Sequence, residues 1–405
     1  MHDELMQRSV GTPGPRIPHL SLGAVFLRFL RFGSLAWGGP VAQIAMLQRE
    51  LVEEERWVSP ERFRRALAVY QVLPGPEAHE LCVWFGMLAR CRLGAVLAGL
   101  GFMLPGFVLM LALSALYANG ASRPPELRSL FMGLQAAVIA MIVRALFRIG
   151  HHALFDRWLA GIAAACCAST LLGVHFAIAL AFGGVSYVWL RRTRWWLAAI
   201  TALLFAGCTA FVLFDTPSPH ATDAAILASV APSAGSLFLS GLRTGLLTFG
   251  GAYTAIPFLQ HDAVVTGGWM TNDQFLEGIA LGGVLPAPLI IFGTFVGYVG
   301  GGLAGALVLT AGIFLPAFSF TLLGHGVFER ITGNAAVHNL LDGVTAGVVG
   351  IMAATTVGLV RSGITDVPSA CVAAVGFAML WFWRSRASVP LTVLAGGLLG
   401  LAVLR

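Results

Sequence analysis

The stretch FLRFLRFGSLAWGGP, residues 26–40, returns as FLSGLRTGLLTFGGA, residues 238–252, and the offset between the two (238 − 26 = 212) stays constant without a gap well beyond them. Arg31 lies over Arg243, Gly33 over Gly245, and Gly38-Gly39 over Gly250-Gly251. Further along, Gln48 meets Gln260, Trp57 meets Trp269, and VLPGP at 72–76 meets VLPAP at 284–288. With one residue dropped, Gly94 meets Gly305 and GFMLPGF meets GIFLPAF, so that Pro105 matches Pro316. The chain is an internal duplication. Duplicated halves whose apolar segments are interrupted by glycine and proline at matching positions mark a secondary transporter, and the interruptions point to its binding site.

Composition gives the solvent. Of 405 residues 57% are hydrophobic and 11% charged, the mean hydropathy is +0.82, and soluble domains carry about 25% charged residues. The reading is an all-α polytopic membrane protein. All 25 basic residues are arginine. They sit in short clusters between apolar runs, where the positive-inside rule accounts for them, so the basic balance does not imply nucleic acid. The six cysteines show no metal-ligand spacing and read as small core residues. No cofactor is expected. Residues 1–21 read as a cytoplasmic N-terminal tail, 22–214 as a first transmembrane repeat domain, 215–234 as an extracytoplasmic linker and 235–405 as a second repeat domain.

The arginine clusters set a topology. Arg90 and Arg92, Arg144, Arg148 and Arg157, Arg191, Arg192 and Arg194, Arg330, and Arg384 with Arg386 are placed in the cytoplasm. Spans over 93–117, 129–148, 158–174, 175–190 and 195–214 then lead to a linker with two aspartates and no arginine. Five is an odd number, which predicts inverted-topology repeats. The second copy adds spans over 302–323, 335–360, 366–383 and 388–404, leaving Arg123, Arg128 and Arg361 as misfits. Arginines also flank both segments before residue 93. That predicts two broken or re-entrant helical hairpins at the start of each repeat: 22–38 with 40–51, and 63–73 with 77–90. Kinked full spans are the alternative. Irregular backbone at membrane depth is tolerated where protein covers it or where it lines a cavity.

The breaks carry the chemistry. Pro40, Pro76 and Pro288 each read as the first residue of a half-helix, where a missing N–H costs nothing. Four helix N-termini, after Gly39, Pro76, Gly251 and Pro288, would together offer up to about two positive charges, which suits a small dianion. The candidate substrate-binding set is Arg31, Gly38, Gly39, Pro40, Pro74, Gly75, Pro76, Glu77, Arg243, Gly250, Gly251, Pro286 and Pro288. Bland readings stand beside it: glycine and proline for close packing and kinks, the arginines as interface anchors, and Glu77 as a partner of its helix dipole. Glu77 and Glu80 are the candidates for a proton-exchanging group.

FGSLAWGGP, VLPGPEAHEL and GFMLPGF, together with LTFGGAYTAIPFL, GGWM and GGVLPAPLIIFGTFVGYVGGG, closely resemble the chromate ion transporter family in its long, two-domain form, from about Val25 to Val403. The resemblance implies a multi-pass protein of the bacterial inner membrane that exports chromate and confers resistance. Trp37 stands where many relatives have phenylalanine, which leaves preference among tetrahedral oxyanions open, with sulfate as a competitor. A potential of about 150 mV would drive a dianion outward with about 7 kcal/mol; proton exchange would be an addition. Import of sulfate or another oxyanion is the alternative function. A membrane enzyme is not supported, because no cysteine pairs with a histidine at motif spacing. The oligomeric state stays open, a homodimer included.

Overall fold

The computed structural model describes residues 17–119, 125–215, 231–332, 334–383, 385 and 387–404, and among them there is no strand. Most of the predicted tail (1–16), most of the predicted linker (216–230), and Arg123, Arg384 and Arg386 lie outside the described residues. The first copy comprises α1 (Leu22–Ser34), α2 (Gly39–Leu47), α3 (Pro60–Val72), α4 (Glu77–Asn119), α5 (Pro125–Ala153), α6 (Arg157–Leu171) and α7 (Phe176–Arg191). After α8 (Trp195–Asp215) the second follows as α9 (Ala234–Leu247), α10 (Ile256–Gln260), α11 (Asn272–Val284), α12 (Phe292–Thr332), α13 (Ala335–Gly363), α14 (Val367–Phe382) and α15 (Ser388–Val403).

The helix starts repeat with the sequence. Ser21 caps α1 by accepting from the Ala24 N–H, and Ser233 caps α9 by accepting from Ser236. Ser59 and Thr271 cap α3 and α11 in the same way. Each pair lies at the 212 offset (233 − 21, 271 − 59). A hydroxyl there satisfies an otherwise orphaned N–H.

The chain reverses at each break. In the first copy the Gln43 side chain donates to the Ala36 carbonyl at 2.9 Å, Arg31 bonds Glu50 at 3.0 Å, and Arg28 pairs with Glu55, so α1 and the arm after Gly39 run antiparallel. Arg243 and Asp262 tie the second copy at 2.5 Å. Across the next break, Phe63 stacks on Phe85 and Gly278 packs on Phe295. A further reversal lies inside α4, where Arg90 and Cys91 leave helical geometry, and inside α12, where Gly301 and Gly302 do the same. The arms then meet through Gly86 against Gly94, and Gly297 against Gly305.

The arms differ from regular half-helices in two ways. Gln48–Glu54 and His261–Thr266 are π-helical, and residues Ala252–Ala255 and Leu289–Ile291 form 3-10 turns ahead of α10 and α12. Consequently the arms after Gly251 and Pro288 do not begin as α-helix, and their first N–H groups point less uniformly along one axis than predicted.

The two copies interlock. α5 packs on α14 and α15 of the second copy, while α13 packs on α6 and α7 of the first. Small residues permit it: Gly133 faces Gly396 and Gly400, and Gly183 faces Gly343. In a lipid solvent, such close backbone approach and dispersion supply the association that burial supplies in water. α5 and its counterpart α13 touch through Gly150 with Val349 and Ile139 with Gly363, so these equivalent helices run antiparallel. By length and composition five described segments can cross a membrane, Glu77–Asn119, Leu127–Ala153, Trp195–Leu213, Leu289–Leu323 and Ala335–Gly363, of which the first and fourth contain the reversals at Arg90-Cys91 and Gly301-Gly302. The chain is a multi-pass membrane protein. α6, α7, α14 and α15 have 15 or 16 residues, about 24 Å at 1.5 Å per residue, which is shorter than the ~30 Å hydrocarbon core.

Candidate functional site

The tip of the first copy's proline break touches the glycine break of the second. The Gly75 N–H donates to the Thr248 carbonyl at 2.8 Å, and Gly75 also lies against Ala317. Ala287, the counterpart of Gly75, lies against Gly106, the counterpart of Ala317. Pro74, Gly75 and Pro76 with Glu77 therefore sit at Thr248, two residues before the Gly250-Gly251 pair, while Pro286 and Pro288 flank the equivalent contact on α4. Gly38, Gly39, Gly250 and Gly251 have φ of 89°, 76°, 74° and 119°, the left-handed region that favours glycine. Open space lies where a Cβ would stand on Gly39 or Gly251.

The breaks are not equivalent. Ala36 and Thr248 correspond (248 − 36 = 212), yet the Ala36 carbonyl is taken by Gln43 of its own hairpin, and the Thr248 carbonyl by Gly75 of the other copy. Gln43 is fully buried and has Ala255 as its counterpart. Thr254 turns its hydroxyl onto the Gly251 carbonyl at 2.8 Å. Glu77, half-buried, opens α4, and Glu80, one turn on, is completely buried against Gly75 with both carboxylate oxygens lacking a hydrogen-bond partner. Holding a charge there without a partner is costly. The His79 ring packs on Phe314 and Phe318 of α12, with centroids 4.9 and 4.8 Å away.

Arg31 and Arg243 do not reach the tips. Each is engaged about one and a half to two turns below its glycine pair, Arg31 with Glu50 and Arg243 with Asp262. The arginines that do come near are ones that the sequence assigned to a cytoplasmic cluster. Arg148 of α5 is within electrostatic reach of Glu77, and Arg144 and Arg148 together are within reach of Tyr253. Ile149, next to Arg148, lies against Gly250. Nothing in the local sequence signals this, because α5 arrives from outside the hairpins. Glu277 is a second residue that sequence reading passed over: it is 4% exposed, accepts from the Tyr117 hydroxyl and from Gln135 at 3.3 Å, and stands where the first copy has Arg65. That change of charge between the copies was visible at the 212 offset (277 − 65).

The model of the chromate transporter family matches the chain twice, over residues 23–189 and 235–401. The chain belongs to the chromate transporter family. It is not an enzyme. The two matches coincide with the two structural copies and leave α8 between them. A chromate transport protein of Pseudomonas aeruginosa is 52% identical over 390 residues, covering 95% of this chain and 92% of that protein. A chromate transport protein of Cupriavidus metallidurans is 30% identical, with 95% and 94% covered. An uncharacterized transporter of Methanocaldococcus jannaschii is 26% identical, with 82% and 83% covered. No solved structure matches the chain.

Proposed function

We propose that this chromate transporter family member exports chromate across a bacterial inner membrane and so confers resistance, by alternating access between two inverted copies whose hairpins are re-entrant. The observation that carries this is the meeting of a break from each copy, Gly75 on Thr248, with Ile149 of α5 against Gly250 and Arg148 within electrostatic reach of Glu77. The helix start at Glu77 and the guanidinium suit a tetrahedral dianion. Inversion is supported by the antiparallel course of α5 and α13. The relatives from P. aeruginosa and C. metallidurans, named as chromate transport proteins, support the substrate.

The membrane potential is the driving force in this reading. About 2.3 kcal/mol per charge per 100 mV expels a dianion from a negative interior without a nucleotide. Glu77 and Glu80 are the groups for any proton exchange. Arg31 and Arg243 line the approach from the two faces and pass the oxyanion to the breaks. Purified protein in liposomes should move chromate down an imposed potential, inside negative, with sulfate as a weaker competitor. Chromate flux indifferent to the potential, or net sulfate uptake against it, rejects export.

A side chain on Gly39 or Gly251 would stand in the open space at the tips and would need φ > 0, which costs about 1–2 kcal/mol. Gly39→Val is expected to impair loading from the cytoplasmic face and Gly251→Val release at the other, each by at least about tenfold in sided vesicle flux. Equal, undiminished transport at normal protein level means that the anion binds elsewhere.

A further inference from the structure

The two arginines share more than their register. Arg31 donates through Nη2 to both oxygens of Glu50, at 3.0 and 3.1 Å, and Arg243 donates through Nη2 to Asp262 at 2.5 Å. Both partners lie at the duplication offset, since 243 − 31 and 262 − 50 are each 212. Both carboxylates sit on the π-helical stretches, Gln48–Glu54 and His261–Thr266, that end the returning arms. A π segment shifts the helix face, and here it turns an acid back toward the first helix of each copy. The pairs are lopsided. Their arginine side chains are 58% and 40% exposed, whereas Glu50 is 9% and Asp262 4% exposed. Ser240 fixes Asp262 further by donating to its other oxygen at 2.7 Å. The acid is thus anchored inside, while the guanidinium is partly exposed with donors to spare, the Nε of Arg243 being the buried one.

A carboxylate and a tetrahedral oxyanion offer a guanidinium the same acceptor geometry, two oxygens for one fork. We propose that Glu50 and Asp262 are internal counter-ions of the two guanidinium groups: each carboxylate holds its arginine while no anion is bound at that end, and an arriving oxyanion displaces it. They are specificity and positioning residues of the transport path, one at each membrane face. The inference rests on the reading that Arg31 and Arg243 receive the oxyanion. It adds that the acids compete with substrate. A purely structural pair would not do so.

Glu50→Gln keeps shape and hydrogen bonding but removes the competitor. In sided vesicles the half-saturating chromate concentration at one face should fall about two- to fivefold, the equivalent of releasing a part-exposed ion pair. Asp262→Asn should give the same fall at the opposite face. Glu50→Asp, whose carboxylate is withdrawn by one methylene, should shift half-saturation in the same direction by less, and it serves if the glutamine variant does not accumulate. Unchanged or raised half-saturation in these variants, with Arg31→Ala and Arg243→Ala still defective, overturns the inference and spares the arginine reading. Arg31→Ala and Arg243→Ala at wild-type rate overturn that reading itself.

Discussion

Gly133→Leu is expected to abolish accumulation of the folded protein. Gly133 lies in the first third of α5, where a Cβ would come closer than 3.0 Å to the carbonyl oxygen of Gly396 and to the backbone of Gly400 on α15. Neither neighbour is a side chain that can swing away. The two helices are also pinned one turn off, where Ser129 donates to the Leu404 carbonyl at 2.6 Å. Overpacking a well-filled contact costs about 1–3 kcal/mol and occasionally more, and backbone on both sides puts this case at the upper end. Gly343→Leu, which would drive a side chain into the Gly183 carbonyl of α7, should behave alike because it breaks the reciprocal contact between the copies. Gly207→Leu on α8 is the control, since a Cβ there meets nothing. Size-exclusion profiles of detergent extracts should lose the monodisperse peak for the first two and keep it for the third. Normal profiles for Gly133→Leu and Gly343→Leu would remove the interlocking of the copies as a source of stability.

The largest effect expected on transport itself belongs to Arg148→Ala. Its side chain is exposed on α5, so its removal opens no cavity in the core and protein level should stay normal. It is nonetheless a cation common to both tips, within electrostatic reach of Glu77 in the first copy and of Tyr253 in the second. A hydrogen bond to a charged group contributes about 1.5–3 kcal/mol, so chromate flux should fall about ten- to a hundredfold, with Arg148→Lys intermediate because it keeps the charge and loses the fork. The arginine has a second conceivable role, neutralising Glu77. The double variant Arg148→Ala/Glu77→Gln separates the two: flux restored by the second change means that Arg148 serves only Glu77, and flux that stays low places Arg148 on the anion.

Much of the outline was legible in the sequence because a duplication is its own alignment. The letters of the two copies placed the breaks at Gly38-Gly39, Pro74–Pro76, Gly250-Gly251 and Pro286–Pro288, and the structure interrupts its helices within a few residues of each. Glycine and proline are legible there since their backbone limits act locally, whatever surrounds them. Hydropathy and the arginine clusters likewise identified a polytopic membrane chain, because the cost of charge in hydrocarbon acts residue by residue. What lay beyond the sequence was every property that depends on a distant segment. That Gly75 closes on Thr248 rather than on its own hairpin, and that Arg148 belongs with the tips, follow from how the two copies cross into each other. Those contacts are made between backbones brought together by small residues far apart in the chain, and only the packed tertiary structure selects which of the many glycines meet.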